Sequence, residues 1–179
     1  MKVRTKDPDH LRDKLLRHRE RLRGETRVTR DNLFRKINDL AGVRILHIHT
    51  RQFASIDAAL RELFEESHYR ISEGPFARTW DDESREYFRE LGVKIEKSPT
   101  MYTSVHYVIA PNQQFTCEIQ VRTLMEEVWG EIDHAINYPV PTASVACREQ
   151  IRALARATSS CSRLVDAIMA SHLDHMTNK

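Results

Sequence analysis

Glycine and proline are scarce in this 179-residue chain, with 5 and 6 copies, and aromatic residues make up only 7%. So little Gly and Pro excludes collagen-like and low-complexity architectures, and 40% hydrophobic against 30% charged residues excludes intrinsic disorder. No apolar run approaches the roughly 18–20 residues that a membrane-spanning helix needs. The opening MKVRTKDPDH is charged where a signal peptide has its apolar region. A soluble, cytoplasmic protein with one domain over 1–179 is therefore expected, with no membrane partner. Cysteine is sparse too. Cys117, Cys147 and Cys161 are an odd number at wide spacing without a C-x-x-C pair, which excludes a disulfide framework and a zinc ribbon and predicts reduced thiols.

Net charge is also small, since 28 Lys+Arg against 26 Asp+Glu leaves +2. The distribution is uneven: residues 1–36 hold 13 Lys/Arg against 6 Asp/Glu, and Arg outnumbers Lys by 21 to 7. Arginine excess favours phosphate or carboxylate partners, although a solvated basic helix face has the same composition.

Residues 2–6 read as a short extended segment. Asp7 and Pro8 then open a helix as N-cap and first residue, with Leu11, Leu15 and Leu22 as its apolar stripe. Val43–His49 is a buried central strand bounded by Gly42 and Thr50, Phe53–Phe64 has helical spacing, and Tyr69–Ser72 is the next strand. Gly74–Glu90 reads as a loop leading into a short helix around Asp82–Arg89. Val93–Glu96, Ser104–Ala110 and Phe115–Val121 are further strands, the last two joined at Pro111–Gln114. A helix follows from Thr123 to Asn137, stopped by Pro139 and Pro141. A long helix over 144–173 carries Val145, Ile151, Leu154, Cys161, Leu164, Val165 and Ile168 on its apolar side. The expected class is α/β (α+β), with a mixed five-stranded sheet flanked by helices.

Strand alternation groups Glu118, Gln120 and Arg122 on one face, with Cys117, Ile119 and Val121 on the other. It likewise groups Tyr102, Ser104 and His106. If the two polar faces point the same way, they line a ligand cleft. Asp39 precedes the central strand, where a carboxylate serves either as a cap or as a metal ligand. Glu118 would be its partner carboxylate for a hard cation beside phosphates. His47 and His49 share one strand face, but no further ligands at zinc spacing accompany them. Trp129 and the stripe from Ile151 to Ile168 read as core or subunit interface.

Four segments in order resemble the synthetase domain of the RelA/SpoT alarmone enzymes, and more closely its small single-domain members. They are Arg4-x-Lys6 followed by Lys14 and Arg17; Asn38-Asp39-Leu40-Ala41-Gly42-Val43-Arg44-Ile45; Tyr102-Thr103-Ser104-Val105-His106; and Glu118-Ile119-Gln120-Val121-Arg122-Thr123 leading to Trp129-Gly130-Glu131-Ile132-Asp133-His134. The resemblance covers almost the whole chain and implies a nucleotidyltransferase-like fold. It implies a pyrophosphotransferase that moves the β,γ-diphosphate of ATP to the 3′-hydroxyl of GDP or GTP and releases AMP. Asp39 and Glu118 would hold Mg²⁺, and Glu118 would orient or deprotonate the hydroxyl. Arg4 and Arg44 would stack on adenine, while Lys6, Lys14 and Arg17 neutralise the donor phosphates. Tyr102 would stack on the acceptor guanine and Glu127 would accept from its N1 and N2 donors, with Ser104, Gln120 and His106 lining and orienting the acceptor side.

The chain departs from the family pattern at His10, where a Ser is usual, and at Met101, where a Gly normally precedes the tyrosine. Lys97 stands one position out of register with a family basic residue. Arg4 lies near the first residue whereas relatives carry helices ahead of this strand, so a truncated or minimal form with weakened ATP turnover is expected. The His-Asp constellation of the family's hydrolase half is not seen, so no alarmone breakdown is expected. Two alternatives stay open: a toxin-type relative that pyrophosphorylates tRNA 3′ ends or adenosine nucleotides, and a non-catalytic nucleotide- or RNA-binding module. The long C-terminal helix suggests a homo-oligomer.

Overall fold

A computed structural model describes residues 1–21, 28–98 and 100–178, with the side chains of 17–21 excepted. Leu22 and the side chain of Arg17 thus fall outside the described residues. The elements run β1 (Lys2–Thr5), α1 (Pro8–Arg21), α2 (Leu33–Lys36), β2 (Ala41–His47), a 3₁₀ turn (Thr50–Gln52) and α3 (Phe53–Glu66). They continue as β3 (Arg70–Thr79), α4 (Asp82–Glu90), β4 (Lys94–Lys97), β5 (Ser104–Ala110), β6 (Cys117–Thr123), α5 (Leu124–Asn137) and α6 (Val145–Thr177).

The strands form one mixed sheet in the order β1-β2-β6-β5-β3-β4, parallel at β2/β6 and β3/β4 and antiparallel elsewhere. It has six described strands rather than the expected five, because the short extended segment at the start of the chain pairs with β2 as edge strand β1. The segment from Gly74, expected as loop, continues β3 to Thr79. Register shifts between Ile71 and Glu73 and between Glu73 and Phe76 absorb the Gly-Pro step as bulges. β6 starts at Cys117 instead of Phe115, since the Asn112 side chain accepts from the amides of Gln114 (2.8 Å) and Phe115 (3.1 Å) and folds them into a turn.

Helix starts follow their caps. Asp7 Oδ1 accepts from the amides of Asp9 and His10 (2.9 and 3.2 Å), Thr123 Oγ1 from Glu126 (3.2 Å), and Ser144 Oγ from Cys147 (3.2 Å).

One sheet face carries the main core. Phe53, Leu60 and Phe64 of α3 and Phe88 of α4 cover Ala77, Val105, Tyr107, Ile109, Ile119 and Val121, the burial that drives closure of the fold. A second cluster joins α5 to α6 through Trp129, Ile151 and Ala155, and Trp129 Nε1 donates to the Ile151 carbonyl at 3.0 Å. Of the expected stripe of α6, Ile151 is buried and Leu154 and Val165 are half-buried. Val145, Cys161, Leu164 and Ile168 are exposed. The three cysteines are free thiols. Among the described residues no helix is long and apolar enough to cross a membrane.

Candidate active site

With Ile119 and Val121 turned into the core, Glu118, Gln120 and Arg122 of β6 point to the opposite face. The registers Gly42↔Glu118, Arg44↔Gln120 and His106↔Gln120 set Arg44 and His106 beside them. Edge strand β1 adds Lys2 and Arg4 opposite Arg44 and Gly42. These residues, the first turn of α1 and the inner side of α5 enclose a cleft of about 500 Å³ lined by Arg4, Lys6, His10, Arg44, Tyr102 and Gln120 among others. That size suits a small-molecule ligand.

Asp39 stands just ahead of β2 between two ammonium groups: Lys6 Nζ donates to Oδ2 at 2.6 Å and Lys14 Nζ to Oδ1 at 2.8 Å. Burial pushes its pKa up, but the hydrogen bonds and charges of Lys14 and Lys6 outweigh this and hold it below the usual carboxylate value. Glu118 is treated similarly. Burial raises its pKa, whereas His106 Nδ1 at 2.9 Å from Oε1 and Gln120 Nε2 at 2.8 Å from Oε2 bring it below the ordinary value. The Asp39 charge bears on Glu118 in turn, so the two carboxylates are electrostatic neighbours. A carboxylate only accepts, so His106 Nδ1 carries the proton; in the neutral ring Nε2 then accepts from the Tyr102 hydroxyl at 3.3 Å.

Arg44 Nε donates to Gln120 Oε1 at 3.2 Å, and its Nη1 donates to Glu127 (3.1 Å) and to Glu131 (2.6 Å). Glu127 also pairs with Arg122 and lies 3.5 Å from Lys2. The Arg122 guanidinium, buried with its side chain 3% exposed, sits 5.6 Å from the centre of the Tyr102 ring. Tyr102, His106, Glu118, Gln120, Arg44, Glu127 and Arg122 thus form a closed circuit of contacts around the cleft floor.

The fold therefore gathers Asp39, Glu118, Arg4, Lys6, Lys14, Arg44, Tyr102, His106, Gln120 and Glu127 in or around one cleft. Ser104 does not line the cleft: buried at the start of β5, its Oγ donates to the Val121 carbonyl at 3.3 Å, and its hydroxyl bears on that of Tyr102. Glu131, His134 and Tyr138 line the cleft without having been picked out as ligands. Glu131 was signalled by its position one helical turn after Glu127. His10 packs edge-on to Tyr138 (4.6 Å, 72°), which stacks on His134 (4.6 Å, 11°), a grouping that only the tertiary structure reveals. Met101 packs against the Trp129 cluster. His47 and His49 are not a metal pair: His47 Nδ1 faces the His49 carbonyl at 2.9 Å and His49 Nδ1 faces Asp166 at 2.7 Å. Among the described residues, no group of three or more His, Cys, Asp or Glu could hold a metal.

The family profile described as a region found in RelA / SpoT proteins matches residues 3–142, most of the chain and every cleft-lining residue except Lys2. The chain belongs to the RelA/SpoT family. No curated protein matches it significantly. Among solved structures, a GTP pyrophosphokinase family protein from Streptococcus pneumoniae superposes with a TM-score of 0.68 at 18% identity, over 97% of this chain and 76% of that one. Small alarmone synthetase 1 from Bacillus subtilis bound to its product pppGpp gives 0.64 at 18%, over 95% and 77%. The same synthetase bound to AMPCPP gives 0.64 at 16%, over 97% and 78%. At these identities the likeness is one of fold, and the RelA/SpoT sheet with its flanking helices is shared.

Proposed function

We propose that this protein is an alarmone synthetase, a cytoplasmic pyrophosphotransferase that moves the β,γ-diphosphate of ATP to the 3′-hydroxyl of GDP or GTP. The observation that carries the reading is that two ionised carboxylates, Asp39 and Glu118, are hydrogen-bonded to Lys6 and Gln120, which line one cleft together with guanidiniums and the Tyr102 ring. Family membership and the likeness to one synthetase solved with pppGpp and again with AMPCPP support it.

Arg4 and Arg44 are diagonal neighbours on the same sheet face, about 7–8 Å apart as cross-strand diagonals are, a spacing that admits a flat base. Carboxylates bind Arg44 in the guanidinium plane, which leaves its faces for adenine. The Lys6 and Lys14 ammoniums exchange Asp39 for donor phosphate oxygens, placing positive charge where the transition state spreads negative charge. Glu118, kept ionised by His106 and Gln120, faces the acceptor hydroxyl and takes its proton as the oxygen attacks the β-phosphorus. Tyr102 stacks under the acceptor base. Asp39 and Glu118 offer hard, ionised oxygens of the type that suits Mg²⁺, which would polarise the phosphoryl oxygens when bound.

One observation keeps a second acceptor in view. The carboxylate assigned to read guanine, Glu127, is engaged by Arg44, Arg122 and Lys2, which weakens the case for guanine selectivity and leaves tRNA or an adenosine nucleotide as the alternative. Labelled ATP with Mg²⁺ is offered GDP, GTP, ATP and tRNA separately, with Glu118→Gln as control. Label on GDP or GTP, abolished in Glu118→Gln, supports alarmone synthesis. Label on tRNA or ATP replaces that acceptor assignment, and no transfer to any acceptor sinks the enzymatic reading.

A further inference from the structure

We propose that Glu126 is a positioning residue for the acceptor site, acting through the backbone of the segment that carries Tyr102. The inference rests on the reading of Tyr102 as the acceptor platform. Glu126 and Glu127 are adjacent on the first turn of α5 and serve opposite sides. Glu127 reaches Arg44 and Arg122 in the cleft. Glu126 turns behind it, 6% exposed, where Oε2 accepts from the Thr103 amide at 3.3 Å. Thr103 is also tied to Thr79 through their hydroxyls at 2.9 Å. Tyr102, one residue earlier, rests beside the Arg122 guanidinium that Glu127 holds. The first turn of α5 therefore grips residues 102 and 103 from two sides.

The connection between β4 and β5 has no helix or strand at 101–103, so side-chain clamps must set the direction of Tyr102. The clamp is costly. A carboxyl buried with one direct donor is less stable than an apolar side chain of similar size would be, and burial pushes the Glu126 pKa up to about 7. The charges that face it are Arg122 of β6 and Asp81 ahead of α4, with His47 of β2 and Arg163 of α6 on the walls of the adjoining cavity of about 30 Å³. None of these groups gives Glu126 a hydrogen bond in place of the Thr103 amide, so its direct contact is with the acceptor segment.

Glu126→Gln keeps an oxygen for the Thr103 amide and Glu126→Leu does not. GDP and a non-hydrolysable ATP analogue are titrated calorimetrically, one at a time, into the wild type and both variants. Hydrogen exchange is followed in the peptide spanning 98–105. Glu126→Leu is expected to bind GDP about tenfold more weakly, with the ATP analogue unchanged within about twofold, and to exchange faster at 98–105; Glu126→Gln restores all three. If Glu126→Leu does not fold, Thr103→Pro removes the same hydrogen bond from the donor side. Equal loss of both nucleotides, or unchanged exchange at 98–105, overturns the proposal. A wild type that binds no GDP, with faster exchange still seen in Glu126→Leu, instead overturns the reading of Tyr102 as acceptor platform.

Discussion

His106 faces Glu118 Oε1 with Nδ1 at 2.9 Å and is the chief influence opposing the effect of burial on that carboxyl. A base that must be ionised to act loses activity as pH falls through its pKa, so the acidic limb attributable to Glu118 lies below its ordinary value of 4.5. His106→Phe removes the donor, and the acidic limb of the pH–rate profile is expected to move upward. Glu126 runs the other way. Its pKa rises from 4.5 unfolded to about 7 folded, so the native state binds the proton more tightly, and stability falls as pH rises between those values. Glu126→Gln, neutral throughout, is expected to melt several degrees above the wild type at pH 8, with the gain vanishing toward pH 5, as thermal unfolding at several pH values would show. Alternation made Glu118 and Gln120 legible in the sequence, and Asp39 was legible from its place before β2. The occupation of Asp39 by Lys6 and Lys14 was not, because those contacts join residues distant in the chain. Glu126 was invisible for the same reason: its partner, the Thr103 amide, carries no side-chain signature.

Elements with strong local signals appeared where their residues put them, as the caps Asp7, Thr123 and Ser144 show. β3 did not, since Glu73-Gly74-Pro75 reads as a breaker until a partner strand supplies the register. Gly74 has φ +89°, and a Cβ there would lie 2.4 Å from the His106 carbonyl oxygen, so both conformation and space require glycine. Gly74→Ala is expected to cost about 1–3 kcal/mol, read as a lower urea midpoint. It should also disturb His106, and so lower turnover more than the stability loss alone would. Gly130 is fixed by packing instead: a Cβ would lie 2.8 Å from Arg122 Nη1, beneath the platform that Tyr102 forms.

On the scale of the molecule, α6 meets α5, the 3₁₀ turn, Thr123 at the end of β6 and, through Ser159 and Arg163, the start of α4 at Asp81 and Glu83. Leu164, Ile168, Leu173 and Met176 remain exposed, on a helix that a second copy could meet by the same face. Light scattering at micromolar concentration is expected to give a mass above the 20.9 kDa of one chain. Leu164→Glu with Ile168→Glu is expected to return it to that value, while a monomeric wild type would sink the expectation.

The place of β6 in the sheet has a consequence for synthesis. β6 comes after the other five described strands in chain order yet lies third in the sheet, between β2 and β5. Up to Ala110 the described strands form two half-sheets, β1-β2 and β3-β4-β5, with Asp39 and Tyr102 on separate pieces. Glu118 arrives on the strand that joins them, and Glu126 and Glu127 follow at once on α5. The cleft is therefore completed in a single late docking event between distant parts of the chain, the kind of contact that slows folding. A nascent chain stalled before β6 has no assembled site with which to consume nucleotides.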